Sequence, residues 1–204
     1  MNVFSANSLN LFLKSKKDFY EVYVLKIPSL YLENYAQSGK NLHAVLSYKL
    51  KGQNIKKFEN VLNEKEKKYL KNALENEVLK LKPINVEHSF LVRIENFWLV
   101  GRFDAVFRDE EKIIVVDWKT GKIPGGNDMQ TLVYLYCASK LYKEKNVCVT
   151  YFSLSDGSTK TFDNIENCEQ LILNVIKKIE KQIIVMNNWK HKLIIKMSQP
   201  EIGS

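Results

Sequence analysis

The segment GRFDAVFRDEEKIIVVDWK, residues 101–119, constrains the fold more than any other part of the chain. It contains two apolar runs separated by a polar turn at 108–112, the pattern of two strands joined by a hairpin. Asp104 lies in the first run, and Asp117 and Lys119 end the second. The sequence therefore predicts a hairpin that brings two carboxylates and an amine together at one place in a sheet.

Side-chain alternation places Asp117 and Lys119 on one face of the second strand and Trp118 on the other. Unpaired charges are costly to bury at the end of a strand rich in Ile and Val. One interpretation is a solvated strand end with an incidental ion pair, and the other is a site for a metal and a substrate. We favour the second interpretation because Asp104 lies on the adjacent strand.

Two carboxylates from neighbouring strands can bind a hard divalent cation such as Mg²⁺, which usually takes one or two protein carboxylates plus water and phosphate oxygens. Such a metal activates a bound water and neutralises charge on a phosphate. The Lys119 ammonium would hold the attacking water or stabilise the pentacovalent phosphate. The backbone carbonyl of Trp118 is a further candidate ligand. This chemistry is metal-assisted phosphodiester hydrolysis.

The motifs around these residues resemble those of the RecB-like branch of the PD-(D/E)XK nuclease superfamily. GRFD at 101–104 resembles its G-x-x-D motif, and DWKTG at 117–121 resembles its D-x-K-T-G motif. Gln130 and Tyr134 are spaced as in its Q-x-x-x-Y helix. Any one of these patterns is weak alone, but their order along the chain strengthens the resemblance.

Two earlier segments extend the resemblance towards the N-terminus. GKNLHAVL at 39–46 is similar to the helix that supplies a histidine metal ligand, here His43, and FSANSL at 4–9 is similar to the opening segment of the branch. Glu87, in the strand before the hairpin, lies where relatives often carry an acidic ligand. His43 as a core histidine and Glu87 as an ordinary exposed strand residue remain open alternatives, as does a packing role for Tyr134.

The resemblance implies an α/β fold, a restriction-endonuclease-like core with a mixed central sheet flanked by helices, plus an N-terminal helical segment. It also implies a Mg²⁺- or Mn²⁺-dependent deoxyribonuclease in DNA repair, recombination or defence. The alternative is a non-catalytic or weakly catalytic DNA-binding module of a larger helicase-nuclease or CRISPR assembly. The implied metal ligands are His43, Asp104, Asp117, Trp118 and Glu87, and the implied catalytic residues are Lys119, Asp104, Asp117, Gln130 and Tyr134.

The cysteine pattern departs from many relatives, which hold an iron-sulfur cluster with one cysteine in the opening segment and three near the C-terminus. Ser15 and Lys16 stand where those relatives have Cys-Pro. The chain has three cysteines, Cys137, Cys148 and Cys168, and none of them has C-x-x-C spacing. Because such a cluster usually requires four thiolates, we expect no iron-sulfur cluster.

Composition agrees with a nucleic-acid partner. The 31 Lys and Arg against 23 Asp and Glu give a net charge of +8, which favours binding to a polyanion such as DNA. We see no stretch of about 18 apolar residues that would span a membrane. The free cysteines favour a reducing compartment, so we expect a cytoplasmic protein without membrane contact.

No linker or repeat divides the chain, so we expect a single nuclease domain over 1–204, with a helical part at 1–82 and an α/β core at 83–204. Periodicity predicts strands at 84–94, 97–107, 112–119, 146–154 and 158–162. It predicts helices at 7–24, 35–50, 63–80 and 165–186, and a further helix that is capped by Asp128 and carries Gln130 and Tyr134.

Overall fold

The structure is a computed structural model that describes residues 2–27, 40–110, 112–163 and 166–198. Within these ranges, the side chains of residues 40, 59 and 187–198 lie outside the description. The elements, in chain order, are β1 (Val3–Ser5), α1 (Ala6–Lys14), α2 (Lys16–Phe19), a π-helical turn (Tyr20–Val24), α3 (Lys40–Leu50), α4 (Lys56–Glu59), α5 (Glu64–Leu74), a 3-10 turn (Glu77–Lys80), β2 (Pro83–Ile94), β3 (Phe97–Asp109), β4 (Lys112–Lys119), α6 (Met129–Tyr142), β5 (Val147–Ser153), β6 (Thr159–Asp163) and α7 (Cys168–Ser198).

The six strands form one mixed sheet centred on β3, which confirms the predicted fold class. Strand β2 pairs with one edge of β3 in antiparallel orientation. The other edge of β3 pairs first with β1, in parallel, and then with β4, in antiparallel orientation. The sheet continues through β5, parallel to β4, and ends at β6, antiparallel to β5.

Strands β3 and β4 separate where the two carboxylates lie. The last paired residues of the two strands are Ala105 and Val116, so Asp104 and Asp117 occupy the next position, beyond the ladder. On the same edge of β3, the pairing with β1 has already ended at Val100. The sheet therefore opens between β1 and β4, and the acidic residues face that opening.

The two faces of the sheet pack against different helices. Ile113 and Val115 belong to a core that includes residues of α1, α6 and α7. Val116 and Trp118 belong to a second core that includes residues of α3 and α5. The predicted alternation along β4 is therefore confirmed, because successive residues contribute to opposite cores.

Most predicted elements are present, and the differences have local causes. The helix predicted at 7–24 is interrupted at Ser15, which is extended and whose hydroxyl accepts a hydrogen bond from the Asp18 N–H to start α2. The helix predicted at 63–80 ends at Leu74, and Asn76 caps a separate 3-10 turn. The beginnings of the helices predicted at 35–50 and 165–186 fall partly outside the described residues, and α7 continues beyond residue 186 to Ser198.

The sequence did not indicate β1 or α4, which are three and four residues long. Such short elements contain too few residues for a hydrophobic period to be recognised. Strand β1 adds a strand to the part of the chain that we expected to be helical. Within the described residues, no helix is long and apolar enough to cross a bilayer.

Gly101 allows close packing beside the opening of the sheet. A Cβ atom at this position would lie 2.4 Å from Cζ of Phe90, a buried ring that packs against Phe103 and Tyr134. We expect Gly101→Ala to destabilise the fold by about 1–3 kcal/mol, because the ring has to move within a filled core. Thermal unfolding should show this loss, and Gly125→Ala, where no atom lies within 4 Å of the added Cβ, is the control. Equal melting temperatures for the two variants would contradict the packing argument.

Candidate active site

A cavity of about 680 Å³ lies at the opening between β3 and β4, within the size range of ligand sites. It is lined by residues from β2, β3, β4, α3 and α6, and by the first residues of α1. All the site residues predicted from the sequence line this cavity: His43, Glu87, Asp104, Asp117, Trp118, Lys119, Gln130 and Tyr134. Residues far apart in the chain thus meet at one place.

Asp104 joins the two separated strands through its side chain. Its Oδ2 accepts a hydrogen bond from the backbone N–H of Trp118 at 3.0 Å, in place of a further rung of the ladder. The N–H and C=O of one strand residue point to the same side, so the Trp118 carbonyl is also directed towards β3. The next carbonyl, that of Lys119, points the other way and accepts from Leu154 N–H at 2.8 Å.

Asp117 is buried, and its two carboxylate oxygens have different surroundings. Its Oδ1 accepts from Gln130 Nε2 at 3.0 Å and lies 3.2 Å from the Tyr134 hydroxyl. Its Oδ2 lies 2.7 Å from Lys119 Nζ but has no hydrogen-bond partner of good geometry among the described residues. We regard this contact as an ion pair that leaves a lone pair of the buried oxygen available to a cation.

The Lys119 ammonium is held by three groups. Besides the contact with Asp117, its Nζ donates to Gln130 Oε1 at 2.8 Å and lies 5.4 Å from the centre of the Tyr151 ring. The Tyr151 side chain is fully buried, and the Lys119 amine lies over the face of its ring. The sequence did not indicate Tyr151, since a tyrosine in an apolar strand is not distinguished from a core residue.

Helix α6 positions Gln130 and Tyr134 on the same face. Asp128 caps this helix by accepting the Gln130 N–H at 2.8 Å, as predicted. Gln130 Nε2 also donates to the Tyr134 hydroxyl at 3.1 Å, and that hydroxyl donates to the Arg102 carbonyl at 2.8 Å. Burial raises the pKa of Tyr134 well above its usual value, so the hydroxyl stays protonated. Its ring packs edge-on against Phe103, so this residue also contributes to the core.

His43 lies on α3 with its Nδ1 3.3 Å from Asp104 Oδ2. Burial alone would lower the pKa of His43, but the hydrogen bond and the charge of Asp104 outweigh burial and raise it. The imidazole therefore faces the acidic end of the cavity, and the interpretation of His43 as a purely apolar core residue does not describe its contacts.

Glu87 lies on β2, next to the part of β3 that carries Asp104. Its neighbours Val86 and His88 pair with Ala105 and Phe103, which places Glu87 opposite Asp104. Its φ of 56° is unusual for a residue inside a strand, and such strain is often found at functional sites.

The Glu87 carboxylate is paired with Arg102, a residue that the sequence analysis did not single out. Glu87 Oε2 lies 2.7 Å from Arg102 Nη1, and the guanidinium is more than half exposed. The position of Arg102 inside the GRFD segment was the available signal, because neighbours of a site aspartate often line the same cavity.

The arrangement has the donors that a hard cation requires. Among the described residues, no three His, Cys, Asp or Glu side chains already converge at ligand spacing. Mg²⁺, however, usually needs only one or two protein carboxylates and completes its shell with water and substrate oxygens. Oxygens of this kind are provided by Asp104, by the Trp118 carbonyl and by Oδ2 of Asp117, which has no hydrogen-bond partner among the described residues.

A family model for the PD-(D/E)XK nuclease superfamily matches residues 3–199 of the chain. The protein belongs to this superfamily. Nucleases of the PD-(D/E)XK superfamily generally use divalent metals such as Mg²⁺, which agrees with the oxygen donors described above. No curated protein matches the sequence.

Two solved structures are similar to this PD-(D/E)XK protein. A protein from Eubacterium rectale described as "Putative exonuclease" is 10% identical, and the match covers 92% of this chain and 82% of that chain with a TM-score of 0.55. The structure of SSO0001 is 16% identical, and the match covers 100% of this chain and 89% of that chain with a TM-score of 0.47. The first similarity shows a shared fold.

The buried Asp117 carboxyl should make the stability of the metal-free protein depend on pH. Burial and the neighbouring charge of Asp104 raise its pKa to about 6, and Lys119 only partly opposes this shift. A raised folded-state pKa contributes stability that is present below the unfolded value of 3.8 and is lost as pH rises through about 6. We therefore expect Asp117→Asn to raise the melting temperature in chelator at pH 8, and to do so much less at pH 5.

Thermal unfolding of the two proteins at both pH values checks this expectation. His43, whose pKa is also raised, shifts the stability of the wild type in the same direction as pH rises. Adding Mg²⁺ at pH 8 should stabilise the wild type and narrow its difference from Asp117→Asn. The same difference in melting temperature at pH 5 and pH 8 would contradict the assignment of the shift to Asp117.

Proposed function

We propose that this PD-(D/E)XK protein is a DNA nuclease of the RecB-like branch that uses Mg²⁺ or Mn²⁺ to hydrolyse phosphodiester bonds. The observation that carries the proposal is the buried Oδ2 of Asp117, which has no hydrogen-bond partner among the described residues, lies 2.7 Å from the Lys119 ammonium and belongs to a carboxyl whose pKa the charge of Asp104 also raises. A fold does not require such an arrangement, because burying charges without full pairing costs stability.

In this proposal Asp104 and Asp117 hold the metal, with the Trp118 carbonyl and His43 as further ligands. Glu87 is an additional candidate ligand, whose carboxylate would be shared with Arg102. When bound, the metal would lower the pKa of a water and neutralise charge on the phosphate. The donor set is mostly oxygen, as Mg²⁺ and Mn²⁺ prefer.

The remaining residues act around the phosphate. The Lys119 ammonium donates hydrogen bonds to the attacking water or to the phosphate oxygens, where negative charge develops. Gln130 fixes both partners of the ion pair, since its amide oxygen accepts from Lys119 and its amide nitrogen donates to Asp117. Tyr134 in turn holds Gln130, so the two residues of α6 are proposed to position the lysine.

A substrate panel tests the proposed activity. Purified protein is incubated with circular and linear, single- and double-stranded DNA, in Mg²⁺, in Mn²⁺ or in chelator. We expect cleavage of at least one form with metal and none in chelator, and cleavage of circles would indicate an endonuclease. Binding of DNA without cleavage of any form would instead favour a binding module of a larger helicase-nuclease or CRISPR assembly.

His43→Ala tests the histidine ligand. We expect the affinity for Mn²⁺ to fall roughly 10- to 100-fold, as when partners of a metal shell are removed, while the melting temperature in chelator changes little. Calorimetric titration with Mn²⁺ measures this, and His88→Ala is the control because its imidazole contacts Tyr142 instead of the cavity carboxylates. If His43→Ala melts several degrees lower yet binds Mn²⁺ normally, His43 is a structural residue.

The absence of an iron-sulfur cluster and the cytoplasmic location stay predictions from the sequence. The RecB-like branch and the roles in repair, recombination or defence belong to the proposal, as does a helicase or CRISPR-type partner. The net charge of +8 supports DNA as the substrate, because phosphate contacts supply most of the nonspecific affinity for nucleic acids.

A further inference from the structure

The cavity extends along α3 beyond His43. Ser47, Tyr48 and Lys51 also line it, and His43, Ser47 and Lys51 follow one another at intervals of four residues. Residues at this spacing share one face of a helix. At a rise of 1.5 Å per residue, Lys51 lies roughly 12 Å along the helix from His43. The cavity is therefore longer than a metal centre needs.

Tyr48 presents an aromatic ring to this extension. Its ring is stacked on Phe58 with centroids 4.8 Å apart and an angle of 11° between the planes. Phe58 packs against the second core, so the stacked pair has a fixed support. Tyr48 lines the cavity and is 36% exposed, so the part of its side chain that Phe58 does not cover is accessible.

Lys51 follows the last residue of α3 in a fixed backbone geometry. The Gly52 N–H donates to the Lys49 carbonyl at 2.9 Å, and the Gln53 N–H donates to the Tyr48 carbonyl at 3.0 Å. Gly52 has the left-handed φ of 75° that this helix-ending motif requires. The motif holds the backbone from which the Lys51 side chain projects.

The Lys51 side chain differs from the other cations of the cavity. Arg102 is paired with Glu87, and Lys119 is paired with Asp117. Within the described part of the chain, no carboxylate forms an ion pair with Lys51. An ammonium that has no acidic partner among the described residues, in a cavity proposed to bind a phosphodiester, is suited to a second phosphate.

We propose that Tyr48 and Lys51 form a subsite for unpaired nucleotides beside the scissile phosphate. The Tyr48 ring stacks on one base, and the Lys51 ammonium contacts an adjoining phosphate. Aromatic rings bind single strands in this way because every base has an exposed face, whereas the faces of a base inside a duplex are already stacked. The inference rests on the proposed nuclease function and deepens it, since it assigns a single strand or a frayed end as the bound form.

Binding of a fluorescent oligothymidylate in chelator, where no cleavage is expected, tests the subsite by anisotropy. Tyr48→Ala should weaken binding at least about fivefold, the lower end of the effect of removing a stacking ring, and Tyr48→Trp should bind like the wild type. Tyr48→Leu keeps an apolar contact with Phe58 if the alanine variant does not fold. Tyr69→Ala, in the same helical layer but outside the cavity, should bind like the wild type.

Lys51→Gln should weaken binding of the single strand. It should also reduce the magnitude of the slope of log K against log salt concentration by about 0.7, the contribution of one phosphate contact to a single strand. Lys49→Gln is the matched control, because Lys49 lies on α3 only two residues before Lys51 but lines a separate small pocket. The subsite is wrong if Tyr48→Leu binds the single strand as tightly as the wild type, or if duplex binding falls equally. It is also wrong if the wild type does not bind the single strand.

A cleavage assay separates this inference from the nuclease proposal. Oligonucleotides with one abasic position at different distances from the cut are offered with Mg²⁺. For the wild type, the cleavage rate should fall when the abasic position stands at one particular distance from the cut. For Tyr48→Leu, the abasic position should not slow cleavage at any distance. Cleavage by the wild type without a sensitive position overturns the subsite and leaves the nuclease. Tyr48-dependent binding without any cleavage overturns the nuclease and leaves the subsite.

Discussion

Asp104→Asn and Asp117→Asn are each expected to slow DNA cleavage by on the order of a thousandfold or more. Each substitution keeps the shape of the side chain but removes a negative charge that holds a hard cation. A loss of several kcal/mol from the metal's contribution to the barrier gives this effect, since each 1.36 kcal/mol is tenfold in rate. Single-turnover cleavage with saturating protein and Mg²⁺ measures it directly.

DNA binding by these two variants should survive. Affinity depends mainly on Lys and Arg contacts to phosphates, and loss of a carboxylate from the cavity should strengthen binding slightly at low salt. Asp109→Asn is the matched control, because Asp109 is an exposed carboxylate at the opposite end of the β3–β4 hairpin. Loss of cleavage in the control as well would point to a general effect of charge on the fold.

Lys119→Ala is expected to slow cleavage by on the order of a hundredfold or more, the cost of removing one donor aimed at a developing negative charge. Metal affinity at pH 8 should not fall, because the ammonium is not a ligand and its removal takes a positive charge away from the site. Cleavage rates and Mn²⁺ titration on the same preparation distinguish this variant from the aspartate variants.

Lys112→Ala serves as the control for the lysine. Lys112 is the first residue of β4, and Lys119 is the last. The Lys112 Nζ lies 3.5 Å from Oδ2 of Asp163, on the edge strand β6. Its removal should leave cleavage unchanged. If Lys119→Ala cuts DNA at the wild-type rate, Lys119 has only a structural role as the partner of Asp117, and the proposed mechanism is wrong in this part.

The grouping of most of the candidate site residues in one cavity was predictable from the sequence, because they lie on two strands and a helix that are close together in the chain. Alternation along 112–119 correctly separated Asp117 and Lys119 from Trp118, and the four-residue spacing correctly placed Gln130 and Tyr134 on one face. These inferences depend on periods of the backbone that hold wherever a strand or a helix forms.

Other features depend on contacts between distant segments, which no local period records. Strands β3 and β4 separate after the Ala105–Val116 pair, and the Trp118 N–H there donates to the Asp104 side chain instead of to a backbone carbonyl. Both features arise from the packing of the whole sheet. The pairing of Glu87 with Arg102 likewise follows from the β2–β3 register.

The aromatic pair formed by α3 and α4 illustrates the same limit. Tyr48 lies on α3 and Phe58 lies on α4, after an intervening turn, and their stacking could not be read from spacing. The break at Ser15 had a local signal, because a serine followed three residues later by Asp18 is typical of a new helix start, but the apolar period of 7–24 concealed it.

The most direct test of the central claim compares the wild type with Asp117→Asn on linear and circular DNA, with Mg²⁺ or Mn²⁺ and with chelator. We expect new DNA ends for the wild type with metal and no product in chelator. At equal DNA binding, the product from Asp117→Asn should be reduced by on the order of a thousandfold. Cleavage in chelator, or equal cleavage by Asp117→Asn, would contradict the central claim, and so would a wild type that binds DNA but produces no ends with either metal.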